Sequence, residues 1–483
     1  MVQSQSQSAA APSSAAAPAV KTLRELRASG HQFRTVKDEI RQNLIARLRA
    51  GEDPFPGILG FEGTVRPHLE RALIAGHDVI LLGERGQGKT RLIRTLTGLL
   101  DEWSPVVSGC EINDHPYEPV CVRCRRLAAE LGDDLPVAWR YRDERYGEKL
   151  ATPDTSVGDL IGDIDPVKVA EGRTLGDPET IHYGLVPRTN RGIFCLNELP
   201  DLAERIQVSL LNVLEERDIA VRGYALRLPL DLVLVASANP EDYTNRGRII
   251  TPLKDRFGAE IRTHYPLTLD DELAVIRQEA EVSWGGGTPD AVLPDHLIEV
   301  IARFTRLVRS SPAVDSRSGV SARFAIAAAE AVVAAAVRRA AIAGEDQPVA
   351  RICDLPPVVG TLRGKVEFEV SEEGRESEVL EHLLRRATAD TFRAHLGSAD
   401  LSGLVARFTD GASVASSDLL PAAELLRRVG EVPGLAKIME RLDGDGGESP
   451  GQAAAALEFA LEGLYLMRRL SKDVTDGGAV YRG

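Results

Sequence analysis

The apolar positions of this chain change period twice. From Thr35 the run TVKDEIRQNLIARLR places Val36, Ile40, Leu44 and Leu48 four apart, with Thr35 and Asp38 spaced as a capping box. That spacing predicts an amphipathic helix. Between residues 54 and 265 short apolar runs take over: Val79–Leu82, Ile193–Leu196 and Leu232–Ala236. Each ends in small or polar residues and leads into helical or loop sequence, the pattern of parallel strands in a doubly wound sheet. From Leu267 the period is helical again, amphipathic over Asp270–Ala280 and Pro294–Arg309 and rich in alanine over Ala322–Ala343. Beyond about residue 365 an acidic stretch, EFEVSEEGRESEV, leads to further helices around 376–396, 419–442 and 450–472. Within them DGDGGESP (443–450) reads as a flexible break.

Composition narrows the class. At 483 residues the chain has room for two to four domains, each with its own core. An apolar share of 43% and a charged share of 27% are those of a soluble globular protein. The 58 basic and 72 acidic side chains leave a net charge of −14, which argues against general nucleic-acid binding. No apolar run is long enough to predict a membrane span. Residues 1–20, MVQSQSQSAAAPSSAAAPAV, lack a basic start and a leucine-rich core and read as a disordered tail rather than a signal peptide. Five cysteines in this length make no disulfide framework, so the expected compartment is the reducing cytoplasm. Residues 21–53 form a helical arm rich in Lys and Arg, whose charge is expected to solvate a helix face docked on the next domain.

The strongest local chemistry lies in VILLGERGQGKT, residues 79–90. Gly83, Glu84, Arg85, Gly86, Gln87, Gly88, Lys89 and Thr90 fit the GxxxxGK[ST] pattern, after an apolar strand and before a helical run that Arg91 opens. Glycines there let backbone N–H groups converge on phosphate oxygens, and the helix start adds partial positive charge. Lys89 is expected to bridge the β- and γ-phosphates of ATP, and Thr90 to offer its hydroxyl to Mg²⁺. Downstream, Arg191-Gly192 precede the strand 193–196, and Asn197-Glu198 stand at its carboxyl end. The strand LVLVASANPEDY ends in Asn239, TPLKDRFG presents Arg256, and GVSARFAI presents Arg323.

Taken together these motifs resemble the AAA+ ATPases of the magnesium chelatase I-subunit and MoxR-like branch, over about residues 54–340. The resemblance implies an α/β P-loop core, a parallel sheet flanked by helices, over 54–266. A helical lid over 267–364 and a mainly helical extension over 365–483 would follow. It implies roles by position: Asn239 as sensor 1, Arg256 as an arginine finger reaching a neighbour's nucleotide, and Arg323 as sensor 2. Ile58 and Leu59, in PFPGILGFEGTV, would pack around adenine. The segments 156–186 and 215–231 resemble the inserts that project toward a ring's pore and precede sensor 1. Neither carries the GAFTGA loop of enhancer-binding activators. The resemblance further implies a hexameric ring, a partner with a von Willebrand A domain, and a client that is either a protein complex to be remodelled or a tetrapyrrole metal chelatase. The protein-complex client is preferred, because the extension and a cysteine-rich loop depart from a plain chelatase motor. A nucleotide-gated scaffold is the non-enzymatic alternative.

Two features stand apart. Asn197 replaces the usual Asp that holds a Mg²⁺-bound water; its amide oxygen still accepts a hydrogen bond but brings no charge. Because Glu198, placed to polarise the attacking water, is present, hydrolysis is expected. Second, SGCEINDHPYEPVCVRC (108–124) spaces Cys110, His115, Cys121 and Cys124 as C-x4-H-x5-C-x2-C, four soft ligands that would suit a structural Zn²⁺.

Overall fold

The structure, a computed structural model, describes residues 16–170, 180–215, 219–221, 224–226, 228–239, 248–285, 287–315, 319–409, 413–430, 432, 434–443, 449–475 and 478–483. Most of the expected N-terminal tail, Pro240–Tyr243 of the NPEDY stretch, parts of both inserts and most of the DGDGGESP break lie outside the described residues. The chain forms two compact units, residues 1–83 with 88–263 and residues 84–87 with 264–483.

The first unit is built on five strands: β1 Val79–Leu82, β2 Tyr146–Leu150, β3 Gly192–Asn197, β4 Leu232–Ala238 and β5 Ala259–Arg262. They run parallel in the order β5-β1-β4-β3-β2. Why the apolar runs are continuous follows from the pleat. Val79, Leu81, Ile193, Cys195, Val233 and Val235 face one core, while Ile80, Leu82, Phe194, Leu196, Leu232 and Leu234 face another. A strand buried on both faces has no polar alternate. Each such side chain, at 0–6% exposure, contributes roughly 1.5–3 kcal/mol on burial.

The predicted arm helix is Val36–Ala50, and Thr35 caps it by accepting the N–H of Asp38. Val36, Ile40 and Leu44 are buried in the first of these cores, with Val79 and Leu81, whereas Leu48 stays 40% exposed. Glu39 on this helix takes both terminal nitrogens of Arg145 at 2.7 Å, with both residues buried. Removing either partner would leave an uncompensated buried charge, at a cost of about 3–5 kcal/mol. The arm is therefore part of the unit's core. Within the inserts, Gly162–Ile164 pairs antiparallel with Ile181–Tyr183, and Ile219–Val221 with Tyr224–Leu226.

The second unit is mostly helical. Helices Leu269–Glu279, Asp295–Arg309, Ala322–Ala343, Glu376–Leu396 and Pro450–Leu466 share one apolar core that runs from Ile276 to Tyr481. The residues expected as lid and as extension thus bury their apolar faces together. An antiparallel sheet of Ser413–Ser417, Gly478–Arg482 and Ser471–Thr475 joins them, an element absent from the helical expectation. No helix among the described residues is long and apolar enough to cross a membrane.

Candidate functional site

The carboxyl ends of β1, β4 and β3 lie side by side, and the registers bring their last residues level. Leu82 pairs with Ala238, and Leu196 with Ala236. The turn after β1 therefore meets Asn239, and Ser237 stands beside Asn197. In an open parallel sheet this is where ligands bind.

The glycine turn begins with Gly83, whose N–H bonds the Ala238 carbonyl at 3.1 Å. Gly86 and Gly88 have φ of 71° and 78°, left-handed values that a side chain would strain. Helix Lys89–Thr95 starts directly after Gly88. Lys89 is only 7% exposed, and its ammonium donates to the Gly83 carbonyl and, at 2.8 Å, to Asn239 Oδ1. A buried ammonium is costly without polar or anionic company, which these contacts begin to supply.

From Lys89 a continuous relay crosses the strand ends. Asn239 accepts from Lys89 through Oδ1 and donates through Nδ2 to Glu198 Oε2 at 2.7 Å. Glu198 sits in the left-handed region, φ 55° and ψ 48°, which is uncommon for a residue with a side chain and turns it away from the strand direction. Its N–H bonds Ser237 Oγ at 3.3 Å, and Ser237 in turn donates to Asn197 Oδ1 at 3.0 Å. Thr90 Oγ1 also donates to Asn197 Oδ1, at 3.4 Å. Burial pushes the Cys195 thiol up to about 12, so it is a neutral donor, and its sulfur lies 3.6 Å from the same oxygen. Asn197 Oδ1 therefore gathers Thr90, Ser237 and Cys195 at the end of β3.

The other end of Asn197 explains its tolerance. Its Nδ2 donates to Glu148 Oε1 at 2.8 Å. Glu148 lies on β2, opposite Cys195 in the register, on the same face as Asn197. Arg94, on the helix after the glycine turn, holds both Glu148 oxygens at 2.9 and 3.1 Å, and the Tyr146 hydroxyl donates to Oε2 at 3.0 Å. The carboxylate missing at position 197 is present one strand away. Glu148, Arg94 and Ser237 were not singled out from the sequence, because only the strand register brings them here.

The remaining expected residues divide. Ile58 is buried against Phe55, Phe61 and Val65, and Leu59 is half-buried beside it in the chain. Gln87 is buried, whereas Arg85 and Arg91 are exposed. Arg256 ends the helix Thr251–Arg256 and pairs with Asp255 at 3.1 Å on the surface. Arg323 stands in the first turn of Ala322–Ala343, in the second unit.

The cysteine loop corrects one residue. The ligand atoms of Cys110, Asp114, Cys121 and Cys124 all lie within 4.8 Å of one another. His115, expected as the fourth ligand, has both nitrogens engaged elsewhere: Nδ1 accepts the Tyr117 N–H at 3.0 Å, and Nε2 meets His31 Nε2 at 3.3 Å. Burial, with the charge of Arg191 nearby, pushes its pKa down to about 2 and keeps it neutral. The chain turns after Asn113, at φ 58°, so the residue facing the thiols is 114 rather than 115.

Comparison with known proteins agrees with this geometry. A family model described as the Sigma-54 interaction domain matches residues 174–256, the stretch holding Asn197, Glu198, Asn239 and Arg256. The magnesium-chelatase 38 kDa subunit of Cereibacter sphaeroides is 30% identical over 226 residues, 46% of this chain and 62% of that protein. The magnesium-chelatase subunit ChlI of Guillardia theta is 31% identical over 215 residues, 42% of this chain and 55% of that protein. The chain thus spans roughly three-fifths of the length of the curated relatives it matches. Among solved structures, a model of the complex between BchI and BchD of magnesium chelatase covers 68% of this chain and 98% of its own, at 21% identity and a TM-score of 0.34. NtrX from Brucella abortus in complex with ATP covers 73% and 66%, at 16% identity and a TM-score of 0.40.

Proposed function

We propose that this chain, a magnesium-chelatase-like AAA+ protein in its nucleotide-binding half, is an ATP-hydrolysing motor that works as a ring on a partner protein. The observation that carries the proposal is the unbroken relay Lys89–Asn239–Glu198, with Ser237, Asn197 and Thr90 behind it. A cation, a carboxylate and a hydroxyl–amide pair on three adjacent strand ends are the groups that phosphate charge, an attacking water and a metal would call for.

The residues fit a nucleotide with Mg²⁺. Lys89 is a buried ammonium beside the glycine turn, and Thr90 Oγ1 and Asn197 Oδ1 converge as hard oxygen donors. Thr90 would hold the ion directly and Asn197 through a water; when bound, it neutralises charge on the phosphates. Lys89 then turns from Asn239 toward the phosphates. Asn239, released, is free to contact the γ-phosphate or the attacking water. Glu198, freed from Asn239 Nδ2, orients that water and accepts its proton. Asn197 and Glu148 together would supply the oxygen acceptor and the negative charge that a single Asp would otherwise combine. Arg256 would complete the site of a neighbouring subunit, and Arg323 would sense the nucleotide from the lid.

Assembly into a hexameric ring, a von Willebrand A domain partner and a cytoplasmic site of action belong to this proposal. Remodelling of a protein complex, MoxR-like, is favoured by a second unit that carries its own core and sheet beyond residue 365. A motor for tetrapyrrole metal chelation is the second reading, favoured by the 29–31% identity to magnesium-chelatase subunits.

Phosphate release from ATP by the purified chain, with and without Mg²⁺, tests the activity. Glu198→Gln should bind ATP and lose turnover by at least about a hundredfold, the scale of lost general-base catalysis. Lys89→Ala should lose ATP binding. Wild-type protein that binds ATP but leaves it intact, alone and with a candidate partner, would instead leave a nucleotide-gated scaffold.

A further inference from the structure

We propose that Cys110, Asp114, Cys121 and Cys124 form a closed structural zinc site that braces the start of β3. The proposal rests on residues outside the nucleotide site and stands whether or not the chain hydrolyses ATP.

Four potential ligand atoms converge within 4.8 Å of one another. A tetrahedron with Zn–S bonds of about 2.3 Å has edges of about 3.8 Å, so side-chain shifts of about 1 Å or less complete the coordination. Cys121, Cys124 and Asp114 are buried and Cys110 is half-buried, which leaves no open position for a substrate. Three thiols with one carboxylate select a borderline-soft ion over Mg²⁺ or Ca²⁺.

Two independent observations point to a cation rather than to packing. Asp114 is fully buried, and its Oδ2 accepts the N–H groups of Val120 and Cys121 at 3.0 and 2.9 Å. Its Oδ1 has no hydrogen-bond partner among the described residues. An orphaned buried carboxylate oxygen beside three sulfurs is costly unless a cation fills the gap. Two of the sulfurs also accept backbone N–H groups. The Asp114 N–H points at Cys110 Sγ and the Cys124 N–H at Cys121 Sγ, both at 3.3 Å. Cys121 moreover caps the ten-residue helix Val122–Leu131, whose amino end favours negative charge.

The loop is tied to the sheet. Asn113 Nδ2 donates to the Arg188 carbonyl at 2.6 Å, and Asn190 Nδ2 to the Ile112 carbonyl at 3.0 Å. Asn190 Oδ1 accepts the N–H of Asp231, just before β4. An ion closing residues 110–124 therefore fixes the segment that leads into β3, and through Asn190 the start of β4. Its binding energy adds to folding energy.

Elemental analysis of the full chain, purified under reducing conditions without chelator, should find one zinc per chain. Cobalt substitution should give thiolate-to-cobalt charge transfer and the visible bands of a tetrahedral ion. Asp114→Asn should weaken zinc binding at least about tenfold, the lower end of what even losing a ligand's partner costs. His115→Ala should keep the metal, which separates this ligand set from the one containing His115. Because cysteine variants can fail to fold, the wild-type chain supplies the second readout. Chelator should lower its melting temperature and expose three thiols to alkylation, and added zinc should reverse both. Protein that carries no zinc, or a Cys121–Cys124 disulfide, and whose thiols and melting temperature ignore added zinc would overturn the site. So would another metal at full occupancy.

Discussion

Asn197 is legible in the sequence as a departure, but its compensation is not. The amide donates to Glu148 at 2.8 Å, and a hydrogen bond to a carboxylate polarises the amide so that its Oδ1 accepts more strongly. Glu148 reads in the sequence as one charge in YGEKL, an edge strand without an apolar run; only the pairing of Glu148 with Cys195 shows what it serves. The arrangement has a testable consequence. Asn197→Asp alone would set two carboxylates at hydrogen-bond distance, and like charges that close cannot both ionise. That variant should gain no Mg²⁺ affinity at neutral pH, and its ATPase rate should climb with pH as the shared proton leaves. Glu148→Gln alone should raise the Mg²⁺ concentration needed for half-maximal rate by a few-fold, about the effect of 1 kcal/mol. The double variant Asn197→Asp with Glu148→Gln should restore the wild-type Mg²⁺ profile. Magnesium titrations of the rate at several pH values check all three. A tighter-binding, pH-independent Asn197→Asp single variant would show that Glu148 plays no part.

At the scale of elements, what the sequence reveals follows how completely each element is buried. Strands β1, β3 and β4 are buried at every position and read as unbroken apolar runs. The sheet strand Ser413–Ser417, SVASS, alternates exposed and buried residues with little β-propensity, and its partners lie more than fifty residues away, so nothing local marks it. The helix Thr35 cap was legible because it is local; the Glu39–Arg145 bridge that anchors the same helix was not. Long-range clamps of this kind also carry pH dependence. His395, on Glu376–Leu396, meets Glu299, on Asp295–Arg309, at 2.7 Å. The hydrogen bond to Glu299 raises the His395 pKa above its ordinary value. Burial works to raise Glu299, but its bonds to His395 and Arg303 prevail and lower it. A raised histidine contributes stability fully below its unfolded pKa, and loses it as pH rises through the folded one. A lowered Glu contributes above its unfolded pKa and loses it as pH falls through the folded one. The clamp is thus strongest in mildly acid solution. The difference in melting temperature between wild type and His395→Gln should be largest near about pH 6 and should shrink toward about pH 9. A difference that stays constant across that range would assign His395 to packing instead.

For the whole molecule, the motif residues Lys89, Asn197, Glu198 and Asn239 meet at adjacent strand ends, whereas residues on both sides of the expected boundary near 365 share one core. The acidic stretch after it reads as polar sequence leading to further helices. Yet Val366 is buried, and Asp315 and Glu369 pair through their N–H groups with the Glu367 and Ala313 carbonyls at 3.0 Å. Alternating charges hide an apolar anchor there. Assembly is the level at which the motor proposal is most exposed to test, and Arg256 is its pivot. Its guanidinium pairs with Asp255, which is 75% exposed, and such a surface pair holds it by about 0–1 kcal/mol. Exchanging that exposed pair for a phosphate on a neighbour costs no more than that. Arg256→Ala should bind ATP normally and lose turnover by about a thousandfold or more, the scale of an arginine finger. Lys89→Ala keeps Arg256 but loses its own nucleotide. Mixed in equal amounts and allowed to exchange, the two inactive variants should regain activity, because about a quarter of the seams in a randomly assembled ring join an intact glycine turn to an intact Arg256. Subunits that exchange, as fluorescence transfer would show, without regaining phosphate release would mean that Arg256 acts within its own chain, and the ring would no longer be required for chemistry.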